Sequence, residues 1–122
     1  MIRFSDTPTE KQQTGRNAED ESLAFLQQQG LKFVTRNFNC RLGEIDLIMM
    51  DGETLVFIEV RKRKNRSFGG AAGSVTSAKQ RKIIKTAQYY LQQYRTMPPC
   101  RFDVMAWDGK DCQWLKNAIE AI

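Results

Sequence analysis

Residues 43–63 decide the fold: Gly43-Glu-Ile-Asp-Leu-Ile-Met-Met-Asp-Gly-Glu-Thr-Leu-Val-Phe-Ile-Glu-Val-Arg-Lys-Arg63. Two β-rich runs, 44–50 and 54–61, flank Asp51-Gly52, and Asp-Gly between apolar runs is a strong hairpin signal. With Met50 paired to Glu53, Asp46 falls opposite Phe57 and Glu44 opposite Glu59, so Asp46 and Glu59 are diagonal neighbours about 7 Å apart. Side chains alternate faces. Glu44 and Asp46 therefore share a face with Leu55, Phe57, Glu59 and Arg61, while Ile45, Leu47, Val56, Ile58 and Val60 form the face expected to be core.

Three carboxylates on one face repel one another. A hard divalent cation, Mg²⁺ or Mn²⁺, would offset that repulsion, because such ions take oxygen ligands from one or two carboxylates and keep several waters. The competing reading is a solvated polar face, common in antiparallel sheets.

The remainder of the chain extends this nucleus. A chain of 122 residues, 41% hydrophobic and 27% charged, suits one soluble domain. Residues 1–14 are polar and aperiodic and are expected to form a mobile tail, leaving 15–122 as the domain. A helix is expected over 15–29, closed by Gly30. Its stripe of Leu23 and Leu26, joined by Ser22, continues back to Glu19. A short strand over 31–38 precedes the hairpin. A second helix runs from about 76 to 95, ahead of Pro98-Pro99, with Ile83, Ile84, Ala87, Tyr90, Leu91 and Tyr94 as its apolar stripe and Gln80 on the same stripe upstream. Strands over 101–107 and 112–115 follow, separated by Asp108-Gly109. The long helix can serve as a crossover, making the strands at 54–61 and 101–107 parallel neighbours. The expected architecture is α/β, a mixed sheet flanked by helices in the order α-β-β-β-α-β-β.

Composition narrows the chemistry. The chain contains no histidine, which excludes imidazole acid–base catalysis and His–metal sites. Its net charge of +5 is compatible with nucleic acid. Two clusters concentrate that charge. The run 61–66 contains Arg61, Arg63, Lys64 and Arg66 and leads into a Gly-rich stretch with Phe68, read either as a flexible linker or as a loop tracking a phosphate backbone. Lys79, Arg81, Lys82 and Lys85 crowd the start of the second helix, where cations oppose the helix dipole, so local stability does not explain them. Phosphate binding does; a solvated basic face is the alternative. The Gly-rich stretch lacks P-loop spacing. Cys40, Cys100 and Cys112 are odd in number and lack metal-site spacing, so reduced, semi-buried thiols are expected. No apolar run approaches a membrane span and no signal-peptide core is present, so a cytoplasmic location without membrane attachment is expected.

Asp46 followed by Glu59-Val60-Arg61 on the next strand resembles the PD-(D/E)xK nuclease superfamily, which includes restriction endonucleases and archaeal Holliday junction resolvases. The ordered set Gly43-Glu-Ile-Asp, Val56-Phe-Ile-Glu-Val-Arg and Arg101-Phe-Asp-Val is similar, more closely, to the bacterial YraN family of nuclease-like proteins, from about Gly15 to the C-terminus. The resemblance implies a restriction-endonuclease-like fold and metal-assisted phosphodiester hydrolysis on DNA, including branched or junction forms, with RNA an open alternative and a homodimer allowed. It implies Asp46 and Glu59 as ligands of Mg²⁺ or Mn²⁺, with the Val60 carbonyl and Glu19 as further ligands, Gln80 orienting the nucleophilic water, and Arg61 in the position usually held by lysine. Arg63, Lys64, Arg66, Lys79, Arg81 and Lys82 are the expected nucleic-acid contacts. The sequence departs from the pattern at Arg61 and at Ala18, where a Gly often precedes the helix Glu. A non-catalytic nucleic-acid-binding module, or a component of a DNA-processing assembly, is the rival reading of the same residues.

Overall fold

The computed structural model describes residues 10–63 and 70–119. Helix α1 (Glu10–Gln28) leads into β1 (Lys32–Cys40), β2 (Gly43–Asp51) and β3 (Thr54–Arg63). The short α2 (Gly70–Gly73) and α3 (Ser77–Leu91) then cross to β4 (Cys100–Asp108) and β5 (Asp111–Leu115). The strands form one sheet in the order β1-β2-β3-β4-β5. The β3–β4 pair is parallel and the pairs β1–β2, β2–β3 and β4–β5 are antiparallel; a helical crossover between β3 and β4 fits the parallel pair. The element order is the one expected, with α2 added ahead of the long helix.

Both faces of the central strands are buried over residues 47–49 and 55–58, against the competing reading of a solvated polar face. Leu26 of α1 and Leu31 pack on Leu47, Met49, Val56, Ile58 and Met105. On the other face α2 and α3 cover Ile48, Leu55, Phe57, Phe102 and Val104. The cause is position: β3 lies mid-sheet, and an interior strand between two helical layers has no side free for water. Leu47, Ile48, Met49, Val56 and Ile58 are 0% exposed, and each such side chain contributes about 1.5–3 kcal/mol of burial. Ser22, on the apolar stripe of α1, is also fully buried. Its hydroxyl accepts the Trp107 Nε1–H at 2.9 Å, which ties α1 to β4.

The hairpin register differs from the expected one by two residues. Asp51 pairs with Thr54, Met50 with Leu55, and the ladder continues to Leu47–Ile58. The loop is therefore Gly52-Glu53, with Gly52 at φ 62°, and the first loop position is where a II′ turn needs glycine. Asp51 is kept in the strand, where its carboxylate meets Arg101 Nη1 at 3.0 Å. A slip of two preserves side-chain parity where a slip of one would have inverted it, so the residues paired from Leu47–Ile58 to Asp51–Thr54 keep their expected faces. Ile45 is a further correction. It joins Ile48 and Phe57 in the α3-side cluster, away from Leu47, so strand alternation breaks between Ile45 and Leu47, where the β2–β3 ladder ends.

Smaller differences have local causes. α1 begins at Glu10, inside the segment expected to be a mobile tail; the rest of that segment, residues 1–9, lies outside the described residues. α3 ends at Leu91, where the Gln92 N–H turns back to Tyr89 O. α2 arises within the Gly-rich stretch because Asp108, 37 residues downstream, accepts the Ala71 N–H at 2.8 Å. Gly70 has φ 67°, and a Cβ there would lie 2.6 Å from Asp108 Oδ1, so a side chain would break this contact. All three cysteines are free; Cys40 is half-buried, but Cys100 and Cys112 are exposed, not semi-buried. No helix among the described residues is long and apolar enough to cross a membrane.

Candidate acid pair and basic helix

The site forms where β2 and β3 stop pairing. Past Leu47–Ile58 the Val60 N–H is donated to Asp46 Oδ2 at 2.7 Å, in place of a strand carbonyl. That bond orients Asp46 toward β3, and the shifted register places it level with Glu59 instead of diagonal to it. The two carboxyl groups are close enough for each to act on the other. Glu59 is largely buried, its side chain 13% exposed. Burial, then the charge of Asp46, then the hydrogen bond with Asp46 push its pKa up to about 8, against opposing pulls from Arg61 and Lys79. Glu44 is raised by burial first, then by Asp46 and Glu19.

Arg61 shares this face. Its Nη1 lies 3.6 Å from Glu59 Oε2, and its Nε donates to Ser74 Oγ at 2.9 Å. Ser74 is buried and donates in turn to Ala71 O at 2.6 Å, so α2 fixes the guanidinium from below. Lys79 sits in the first turn of α3, where Thr76 Oγ1 accepts its N–H, and its charge acts on Glu59. Arg81 and Lys82 are exposed on the same helix, and Arg63 is exposed at the end of β3. Lys64, Arg66 and Phe68 lie outside the described residues.

Two expected participants are engaged elsewhere. Glu19 Oε1 accepts from Arg36 Nε at 3.2 Å and Nη2 at 2.9 Å, and Asp20 takes the same guanidinium at 2.9 Å. α1 therefore presents Glu19 to β1, close enough to influence Glu44 but held by Arg36. Gln80 donates its side-chain N–H to Val75 O at 3.0 Å, bracing the entry to α3. Val60 meets the site through its N–H, to Asp46. Among the described residues no group of three or more acidic or thiol side chains is arranged to hold a metal; the structure brings together the pair Asp46–Glu59, with Arg61 and Lys79 beside it. Sequence reasoning missed Ser74 and Arg36. Neither carries a local signal: Ser74 sits in a stretch of small residues, and Arg36 is one of several polar residues in a partly exposed strand.

The raised Glu59 has a consequence for stability. Its pKa moves from 4.5 in the unfolded chain to about 8 in the fold, so between those values the folded state holds more protons and stability falls as pH rises. The contribution is fully present below about 4.5 and is lost as pH passes about 8. Glu59→Gln removes that titration. Metal-free thermal melts should therefore show a smaller loss of Tm from acid to alkaline pH in Glu59→Gln than in the wild type; parallel profiles would refute the assignment.

A mixed α/β sheet between helical layers, with an acid pair on its central strands and a basic helix beside it, defines the class of protein. Residues 18–107 match the family model described as uncharacterised protein family UPF0102. The chain belongs to this family, the one to which the YraN motifs pointed. Among its relatives, a UPF0102 protein of Janthinobacterium sp. (strain Marseille) is 58% identical over 113 residues, covering 93% of this chain and 92% of its own. One from Herminiimonas arsenicoxydans is 55% identical, covering 93% and 91%. One from Cupriavidus taiwanensis is 51% identical, covering 99% and 94%.

Proposed function

We propose that this protein is a metal-dependent endonuclease of the restriction-endonuclease-like PD-(D/E)xK class that hydrolyses phosphodiester bonds in DNA, branched forms included, in the cytoplasm. The observation that carries this reading is the neighbouring Asp46 and Glu59 carboxyl groups at the point where β2 and β3 separate, with Asp46 held by the Val60 N–H. Neighbouring carboxyl groups disfavour each other's ionised form unless a cation offsets the repulsion, and paired oxygen donors with no histidine in the chain suit Mg²⁺ or Mn²⁺. Asp46 and Glu59 would hold that ion. Once bound, it polarises a phosphoryl oxygen and lowers the pKa of water.

The chain's own residues supply the rest. Arg61, braced by Ser74, binds the scissile phosphate and offsets charge developing on it; a guanidinium does not act as a base. Lys79, Arg81 and Lys82 hold flanking phosphates. A non-catalytic DNA-binding module is the second reading, favoured by the capture of Glu19 by Arg36, which leaves two acids where the resemblance implies three. Highly purified protein assayed on linear, flap and four-way DNA, with and without Mn²⁺, separates the two. Arg61→Ala should lose about 100-fold in cleavage rate, as for removal of one electrostatic stabiliser. Cleavage at the wild-type rate would take Arg61 out of the mechanism, and no metal-dependent cleavage of any substrate by the wild type would leave the binding module.

Under either reading duplex affinity falls with salt as counterions are released. Replacing Lys79, Arg81 and Lys82 together by Ala should lower the slope of log K against log [salt] by up to about 3, about one for each phosphate that is no longer neutralised. An unchanged slope would place the binding surface elsewhere.

A further inference from the structure

The exposed ridge of α3 carries more than charge. Lys79, Lys82, Lys85 and Tyr89 follow one another at intervals of three or four residues, so they form one continuous row. All four are exposed. The helix contains four cations and no acid. Tyr89 closes the row and is 50% exposed. Its ring is supported by Phe38 of β1, with centroids 6.4 Å apart and planes at 32°. Phe38 is in turn held edge-on by Tyr90, at 5.1 Å.

The β1–β2 turn flanks this row. Gly43 approaches α3 so closely that a Cβ on it would lie 2.8 Å from Thr86 Oγ1 and 3.8 Å from Lys82 Cβ. That contact buries Thr86, whose hydroxyl is held by Lys82 O at 2.7 Å. The turn residues Arg41 and Leu42 are exposed beside it. The row therefore has a cationic start whose first member acts on Glu59, and an aromatic end.

We infer that this row is a single-strand track: a single-stranded nucleic acid lies along α3, phosphates on Lys79, Lys82 and Lys85, with one base stacked on Tyr89. The inference rests on the nucleic-acid reading above and adds the form of the strand. A cationic path combined with an exposed aromatic ring is what single strands recognise, since their base faces are free to stack and those of a duplex are not. The row from Lys79 to Tyr89 spans about 15 Å of helix. At about 3.4 Å per stacked nucleotide that is room for about four nucleotides. The substrate this describes for the acid pair is DNA with an unpaired segment next to the phosphate held there, such as a flap or an opened branch.

The test is equilibrium binding of dye-labelled oligothymidine, about eight nucleotides long to exceed the track, and of a blunt duplex, to the full chain by fluorescence anisotropy. Tyr89→Ala should weaken oligothymidine binding about tenfold, the loss of one base–aromatic stack, and leave duplex binding unchanged. Tyr89→Phe should stay within about twofold of wild type, because the π-face is retained. In Tyr89→Trp, oligothymidine should quench fluorescence beyond any change in the wild type, whose two tryptophans serve as the reference; this reading stands even if the alanine variant fails to fold. Equal oligothymidine affinity in wild type and Tyr89→Ala, an equal loss on duplex, or no added quenching in Tyr89→Trp would overturn the track. Absence of binding to either probe by the wild type would overturn the track and the nucleic-acid reading together. Cleavage without any effect of Tyr89 would overturn the track alone.

Discussion

Asp46→Asn combined with Glu59→Gln is expected to abolish Mn²⁺ binding and, with it, metal-dependent cleavage, the rate falling by on the order of 1000-fold or more, the upper range for loss of an electrostatic stabiliser. The two carboxyl groups act on each other, and Glu59 is driven toward its protonated form by burial and by Asp46. A divalent cation held by both would replace the proton on Glu59 and turn mutual repulsion into joint attraction. The amides keep the shape of the acids they replace. The Val60 N–H, which donates to Asp46 in the wild type, can still donate to the amide oxygen of Asp46→Asn, so the double variant should remain folded. It should melt at least as high as wild type without metal, because the cost of confining two acids is gone. Calorimetric titration with Mn²⁺ checks the binding, and the flap and four-way substrates check the rate. Undiminished Mn²⁺ binding in the double variant would reject this pair as the metal site.

Asp103→Ala is expected to cost about 3–5 kcal/mol of folding free energy, the range for breaking a buried ion pair by removing one partner. Asp103 is 0% exposed. Its Oδ1 and Oδ2 accept Arg101 Nε and Nη2 at 2.9 Å each, a bidentate fork. Trp114 Nε1 and the Asn117 N–H add two more bonds at 2.9 Å. One carboxylate thus joins β4 to β5 and to the chain that follows it, while Arg101 reaches on to Asp51 at the hairpin end. Alanine leaves a guanidinium only 20% exposed without its main partner, and removes the acceptor of two further N–H groups. Total stability of a domain this size is about 5–15 kcal/mol, so the variant should stand near the edge of folding. Asp103→Asn keeps the shape and some acceptor capacity and should cost less, about 1–3 kcal/mol. Urea denaturation midpoints measure both; a midpoint for Asp103→Ala equal to wild type would refute the role.

Sequence periodicity alone determined the order of elements, the parallel pairing across the helical crossover, and the shared face of Asp46, Glu59 and Arg61. These follow from period-two and period-3.6 patterns and from turn residues, which act over a few neighbouring positions. Parity even survived a two-residue error in register, because a strand repeats every two residues. The register itself was decided by tertiary structure. Keeping Asp51 in the strand brings it to Arg101, 50 positions away, and the hairpin alone does not reveal that partner. The same holds for the end of the β2–β3 ladder at Asp46, the capping of α2 by Asp108, the bracing of Arg61 by Ser74 and the capture of Glu19 by Arg36. Each is a polar group choosing among several partners of the right chemistry. That choice is made by distance and burial once the sheet and its two helical layers have assembled, since a hydrogen bond or ion pair gains its strength from geometry and local dielectric, and both are properties of the folded chain.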